Sequence, residues 1–276
     1  MPYVTTSDGT DIYYQDWGNK GGKAVVLSHG WPLSSDNWEN QMFFLANKGF
    51  RVIAHDRRGH GLSSKPWNGN NLDTYVDDLH QLMEKLDLKD AMMAGHSTGG
   101  GEVARYLGKF GTSRVSKAVL VSAITPFMLK TETNPDGVPM EVFDGFRAAM
   151  KKDRAQFFLD VPSTVFFGFN RDGAKVSQGL IRSWFQSGMT ASLKASYDCV
   201  SVWTDSDLRE DLKKINIPVL VLHGDDDQVV PIDVGGRAAM KFLKHGTLKE
   251  FPGAPHALPN ICVDEVNQEL LNFLES

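Results

Sequence analysis

The chain is poor in the residues that announce several common functions. Its 276 residues include only two cysteines, Cys199 and Cys262. Two thiols make no disulfide framework, and neither belongs to a Cys-x-x-Cys pair, so the spacings of a structural zinc site or a c-type haem attachment are missing. Both read as reduced, partly buried thiols acting as small hydrophobes. A basic surplus is missing too: 29 Lys and Arg face 34 Asp and Glu, a formal net charge of -5, which argues against a nucleic-acid partner. No apolar run reaches the length of a membrane span. The opening MPYVTTSDGTDIYY has no basic stretch followed by an apolar one, so no secretory signal is expected. There is no internal repeat and no low-complexity segment. These gaps point to a globular, cytoplasmic protein without membrane or nucleic-acid contacts, and leave a homo-oligomer open.

What the chain does have is alternation. KAVVLSH, RVIAHD, DAMMAGHS, SKAVLVSA and IPVLVLHG are short, nearly continuous apolar runs, as expected of strands buried on both faces of a parallel sheet. GTDIYYQDWG reads as a further strand after the Asp8-Gly9 turn. Helical patterns lie between the runs. NLDTYVDDLHQLMEKLDL places Tyr75, Leu79, Leu82, Met83 and Leu86 on one stripe, and DVGGRAAMKFLKH and VDEVNQELLNFLE are further candidates. The spacing predicts an α/β fold with a mostly parallel central sheet flanked by helices. The alternation stops between about Pro126 and Thr204, where aromatic-rich helical pieces replace strands. This predicts a core of residues 1–125 and 205–276 with a helical cap, 126–204, inserted before the last strands. The cap's aromatics, from Phe127 to Trp203, are expected to pack its own core, with a few lining an apolar substrate pocket.

Gly95-His96-Ser97-Thr98-Gly99 matches Gly-x-Ser-x-Gly. The motif needs a strand before it and a helix after it, so that a sharp, strained turn can present the serine. DAMMA and EVARYLGKF supply both. A phosphate-binding loop would need a lysine after its second glycine, and Glu102 stands in that region instead. Ser97 is therefore the candidate nucleophile.

A serine nucleophile needs a base, and the base needs an orienting acid. On this scaffold the chain order is serine, acid, histidine. His223 precedes the acidic cluster, and His245 precedes the last strand-like run, TLKEF. His256, in FPGAPHALP, follows that run, where sites in open α/β sheets form beyond the strand carboxyl ends. His256 is the candidate base. Asp225, Asp226 and Asp227 compete for the acid; three adjacent charges are costly to bury together and should divide roles, but spacing favours none of them. The oxyanion hole needs two backbone N–H donors. Thr98 follows the nucleophile, and the other donor should come from LSHGWPLS. Trp31 is the candidate there, because Pro32 has no N–H. His29 reads as a structural hydrogen-bonding residue of that turn.

HGWPLSSDNWENQM, HDRRGHGLSS, GHSTGGGEVARY, VLHGDDDQVVPI and APHAL together resemble, in order and over nearly the whole chain, the α/β-hydrolases, and more narrowly the cofactor-free haloperoxidase, aryl esterase and perhydrolase group. The resemblance implies that Asp227, the second Asp of the Gly-Asp-x-Asp loop, is the triad acid, and that Trp31 and Thr98 supply the oxyanion donors. It implies an esterase with no cofactor and no metal, acting on small or aryl carboxylic esters. It also implies a perhydrolase side reaction with hydrogen peroxide, whose peracid product oxidises halide, and the Trp31-Pro32 pair resembles members competent in it. The Asp56–Gly61 turn is taken as structural. Ser97 at the elbow sets the chain apart from haloalkane dehalogenases and epoxide hydrolases, which carry Asp there. Lactonase, amidase or carbon–carbon bond hydrolase activity on the same triad is the alternative; a ligand-binding receptor of this fold is the more distant one.

Overall fold

A computed structural model of the protein describes residues 2–276. Eight strands form one sheet in the order β1-β2-β4-β3-β5-β6-β7-β8. In chain order they are β1 (Tyr3–Thr5), β2 (Asp11–Gly18), β3 (Ala24–Ser28), β4 (Arg51–His55), β5 (Ala91–His96), β6 (Val115–Val121), β7 (Val219–Gly224) and β8 (Gly246–Phe251). β1 and β2 run antiparallel at one edge, and every pairing from β4 to β8 is parallel. β3, β5 and β7 are buried along their whole length, which is why their sequences lack polar alternation. Successive side chains still go to opposite faces. Val26, Ile53, Met93 and Leu120 belong to one core, whereas Val25, Val52, Met92 and Val119 belong to the other.

Crossover helices cover both faces. α1 (Glu39–Asn47) joins β3 to β4, α2 (Leu72–Lys85) joins β4 to β5, and α3 (Thr98–Phe110) joins β5 to β6. Asn71 caps α2 by accepting from Thr74 N–H at 3.1 Å, which satisfies an otherwise orphaned donor. Between β6 and β7 come four helices: α4 (Met140–Ser163), α5 (Gln178–Thr190), α6 (Leu193–Asp205) and α7 (Arg209–Lys214). α4 is two helical pieces across a kink at Asp153, whose φ of -160° and ψ of 90° are non-helical. Asp153 Oδ1 accepts from Gln156 N–H at 2.9 Å there, capping the second piece. α8 (Gly236–Ala239) follows β7, and α9 (Leu258–Ile261) and α10 (Val263–Glu275) follow β8.

One expectation needs correction. DVGGRAAMKFLKH is helical only over Gly236–Ala239. Gly235 has φ of -96° and ψ of -102°, and a side chain at Gly236 would meet His223 Nδ1 at 2.9 Å, so the segment is shaped by the histidine beneath it. The short strand β1 has no counterpart in the sequence reading, since three residues are too few to show a period.

Candidate active site

Ser97 is the single residue between β5 and α3. Its φ of 55° and ψ of -117° fall where non-glycine residues seldom sit. The turn is held by Ser97 N–H donating to Val121 O at 2.9 Å and by Gly100 N–H donating to Ser97 O at 3.0 Å. The glycines give the helix room against the sheet. A Cβ at Gly95 would lie 2.1 Å from Gly99 O, and one at Gly99 would lie 2.1 Å from Ser28 O. Spacing offers no reason for the next two glycines. Packing supplies one: side chains there would meet Ala123 Cβ at 2.4 Å and Ile124 Cδ1 at 2.8 Å.

The three aspartates after β7 do divide roles. Asp225 Oδ1 accepts from Gly253 N–H at 2.6 Å, bracing one loop against the next. Asp226 takes the guanidinium of Arg171, with Nε donating to Oδ2 at 2.7 Å. Asp227 is buried, and its Oδ2 accepts from His256 Nδ1–H at 2.7 Å. Its other oxygen accepts from Val229 and Val230 N–H at 2.9 and 2.8 Å. Burial opposes ionisation of Asp227. The adjacent His256 and the hydrogen bonds from His223 and His256 outweigh it and hold the carboxyl well below the usual carboxylate range.

Trp31 lies in the loop after β3. Among the described residues its N–H finds no hydrogen-bond acceptor, and Thr98 opens α3, so its N–H has no intrahelical acceptor. The loop is tightly braced. His29 Nδ1–H donates to Gly30 O at 2.7 Å, and His29 Nε2 accepts from Arg57 N–H at 3.0 Å. Burial and the Arg57 charge push the His29 pKa well below its usual value, so the ring is neutral and serves one donor and one acceptor bond. Arg57 Nη2 donates to His29 O at 2.6 Å while its Nε pairs with Glu102 of α3. Arg57, in the loop after β4, thus ties the β3 loop to α3, by a hydrogen bond on one side and a buried ion pair on the other.

Ser97 and His256 share one cavity of about 260 Å³. No hydrogen bond joins Ser97 Oγ to His256 among the described residues; such bonds are often loose without substrate. The cavity carries no charged side chain. Phe143, Phe146, Phe157, Phe166, Trp184 and Trp203 wall it, and Gln228 is its one other polar side chain. Phe127, Phe158, Phe167, Phe169 and Phe185 pack elsewhere in the insertion or against it.

Two histidines near the site carry no signal in the sequence. His96 Nε2–H donates to His256 O at 3.0 Å, fixing the loop after β8 to the end of β5. Burial and the neighbouring His256 bring its pKa down to about 3. His223 Nε2 lies 2.9 Å from Val230 O and 3.3 Å from Asp227 Oδ2. His245 immediately precedes β8, at the opposite end of the strand from His256. Both cysteines are free, and burial pushes the Cys199 thiol up to about 12, which keeps it protonated and inert.

Residues 23–259 match the family model described as alpha/beta hydrolase fold. The chain is 54% identical to a non-heme chloroperoxidase of Burkholderia pyrrocinia, over 100% of both chains. It is 49% identical to a bifunctional esterase/perhydrolase of Acinetobacter calcoaceticus, again over 100% of both. The crystal structure of a bromoperoxidase from Bacillus anthracis superposes with a TM-score of 0.94 at 37% identity, covering 100% of each chain. A serine on a strained strand-to-helix turn of a mostly parallel eight-stranded sheet and full-length similarity at this level place the chain in the α/β-hydrolase family, among the non-heme haloperoxidases and esterase/perhydrolases.

Proposed function

We propose that the protein is a serine hydrolase of small or aryl, uncharged carboxylic esters. The observation that carries this reading is the strained turn at Ser97 opening onto the same cavity as His256, whose ring is paired with a buried carboxylate. Ser97 Oγ attacks the ester carbonyl as His256 takes its proton. Asp227 holds the imidazole tautomer and stabilises the imidazolium. The Trp31 and Thr98 amides receive the oxyanion, each donor being worth about 3 kcal/mol by analogy with such holes. His256 returns its proton to the leaving alkoxide or phenoxide. It then takes a proton from water, which attacks the acyl-enzyme and releases the acid. The uncharged, aromatic cavity wall suits a neutral substrate with little polar surface.

The Acinetobacter relative's name pairs esterase with perhydrolase, and the same chemistry extends to hydrogen peroxide here. Peroxide in place of water attacks the acyl-enzyme, and the product is a peracid instead of an acid. The free peracid then oxidises halide in solution. In this reading residues 126–204 form the cap over a core of 1–125 and 205–276, the partners are small molecules, and the enzyme works in the cytoplasm. Ser97→Ala is expected to abolish both ester hydrolysis and peracid formation. Mass spectrometry is expected to find an acyl adduct on Ser97 with slow esters of increasing acid size. Full turnover by Ser97→Ala would overturn the reading. Faster rates on lactones or amides than on aryl acetates would shift it to the alternative reactions of this scaffold.

A further inference from the structure

We infer that α6, a helix of the cap, is the positioning element of the oxyanion hole, acting through one hydrogen bond to each of the two donor residues. The inference rests on the assignment of Trp31 and Thr98 as those donors.

Trp203 Nε1–H donates to Thr98 Oγ1 at 2.9 Å, and Trp31 Nε1–H donates to Ser196 O at 3.0 Å. Ser196 and Trp203 are both on α6. They are seven residues apart, about two helical turns, so they fall on one face. The Trp31 and Trp203 rings meet edge to face with centroids 5.0 Å apart. All four residues are buried. The donors themselves come from different parts of the fold, one on the loop after β3 and one at the start of α3. α6 bridges them by gripping a side chain of each, leaving both backbone N–H groups for the reaction.

The helix is itself seated on the Asp56–Gly61 turn. Ser192 N–H donates to Gly59 O at 2.8 Å. Gly59 has φ of 78°, and a Cβ there would lie only 2.2 Å from Ala195 Cβ. Asn70 Nδ2 adds a bond to Asp198 Oδ2 at 3.3 Å. The turn that reads as merely structural therefore fixes the height of α6, and α6 fixes the spacing of the two donors. Donors held in place before reaction need no reorganisation as charge develops on the oxygen, and small displacements at such a site are expensive in rate.

Thr98→Val tests this, because it removes the acceptor at nearly constant volume and Thr98 does not line the cavity. Removing a whole donor costs about 10²–10³-fold in kcat. Loosening one donor is expected to cost part of that, about tenfold, with KM changed less than about threefold. Affinity for an aryl boronic acid, which mimics the tetrahedral intermediate, is expected to fall by the same factor. Thr98→Ser, which keeps the hydroxyl, is expected to restore most of the loss. Trp203→Phe lines the cavity and will move KM as well, so its effect is read in a cycle: added to Thr98→Val, it should lower kcat little further. Unchanged kcat in Thr98→Val, equal impairment in Thr98→Ser, or fully additive losses in the cycle would each overturn the proposal. A thermal melt of each variant separates loss of folded protein from loss of rate. If Thr98→Val is fully active while Ser97→Ala is dead, α6 has no positioning role and the hydrolase reading stands; an active Ser97→Ala removes both.

Discussion

On the proposed mechanism, replacing Asp227 with asparagine isolates what the triad acid does. The carboxylate has two sides in this structure. Oδ1 accepts from Val229 and Val230 N–H, and Oδ2 accepts from His256 Nδ1–H. An amide has only one acceptor atom, and the two backbone donors claim it. The amide NH2 then occupies the Oδ2 position and points donors at His256. To avoid donor facing donor, the imidazole must accept at Nδ1, which puts its proton on Nε2, the atom that has to accept from Ser97. The base is thus held in the wrong tautomer while the fold keeps both backbone bonds. A tautomer trap of this kind costs about 10⁴-fold in kcat, about 5.5 kcal/mol of transition-state stabilisation. Stopped-flow release of p-nitrophenol from p-nitrophenyl acetate reports acylation directly, and the loss should appear there, beside a lowered thermal midpoint at neutral pH. The carboxyl's depressed folded-state pKa contributes stability that is present above about pH 4 and is lost as pH falls through the folded value. The stability difference between wild type and Asp227→Asn should therefore shrink in strong acid. An acylation rate in Asp227→Asn within tenfold of wild type would refute the tautomer argument and return the acid's role to Asp225 or Asp226.

The glycines offer a paired test in thermal denaturation. Gly99→Ala, with its Cβ 2.1 Å from Ser28 O, should destabilise by more than about 2 kcal/mol and inactivate. Gly145→Ala, in exposed helix with nothing within 4 Å, should stabilise by about 0.5–1 kcal/mol. Acid lability follows from buried neutral histidines. Burial first and nearby positive charge second depress His55, His60 and His96 to about 3, against about 6.5 in the unfolded chain. Their contribution is complete above pH 6.5 and is lost as pH falls towards 3. At pH 5 that is about 2 kcal/mol for each, partly offset by Asp56, Asp78 and Glu102, whose carboxyls burial pushes up. Urea midpoints should fall between pH 7.5 and pH 5; a flat profile would refute this.

What could be read from the sequence is what local geometry writes into it. Strands buried on both faces show as unbroken apolar runs, and β3, β5 and β7 are such strands. A strand-to-helix turn without a linker needs glycines beside its serine, and the cluster around Ser97 records that need. Where a segment is shaped by something distant the reading fails. The helix expected over DVGGRAAMKFLKH shrinks to four residues, and the glycines at its start are demanded by His223 packed against them, which no local pattern shows. The three aspartates cannot be told apart by spacing, since each finds its partner 28 to 55 residues away. The bonds from α6 span 105 and 165 residues, and no periodicity encodes them. The legible residues are thus those that would react, and the illegible ones are those that would hold them in place. α6 joins the two groups: Trp203 both walls the cavity and grips Thr98. If Trp31 and Thr98 are the oxyanion donors proposed above, a change that reshapes the cavity through α6 also disturbs them, and substrate preference and turnover are expected to change together along this helix.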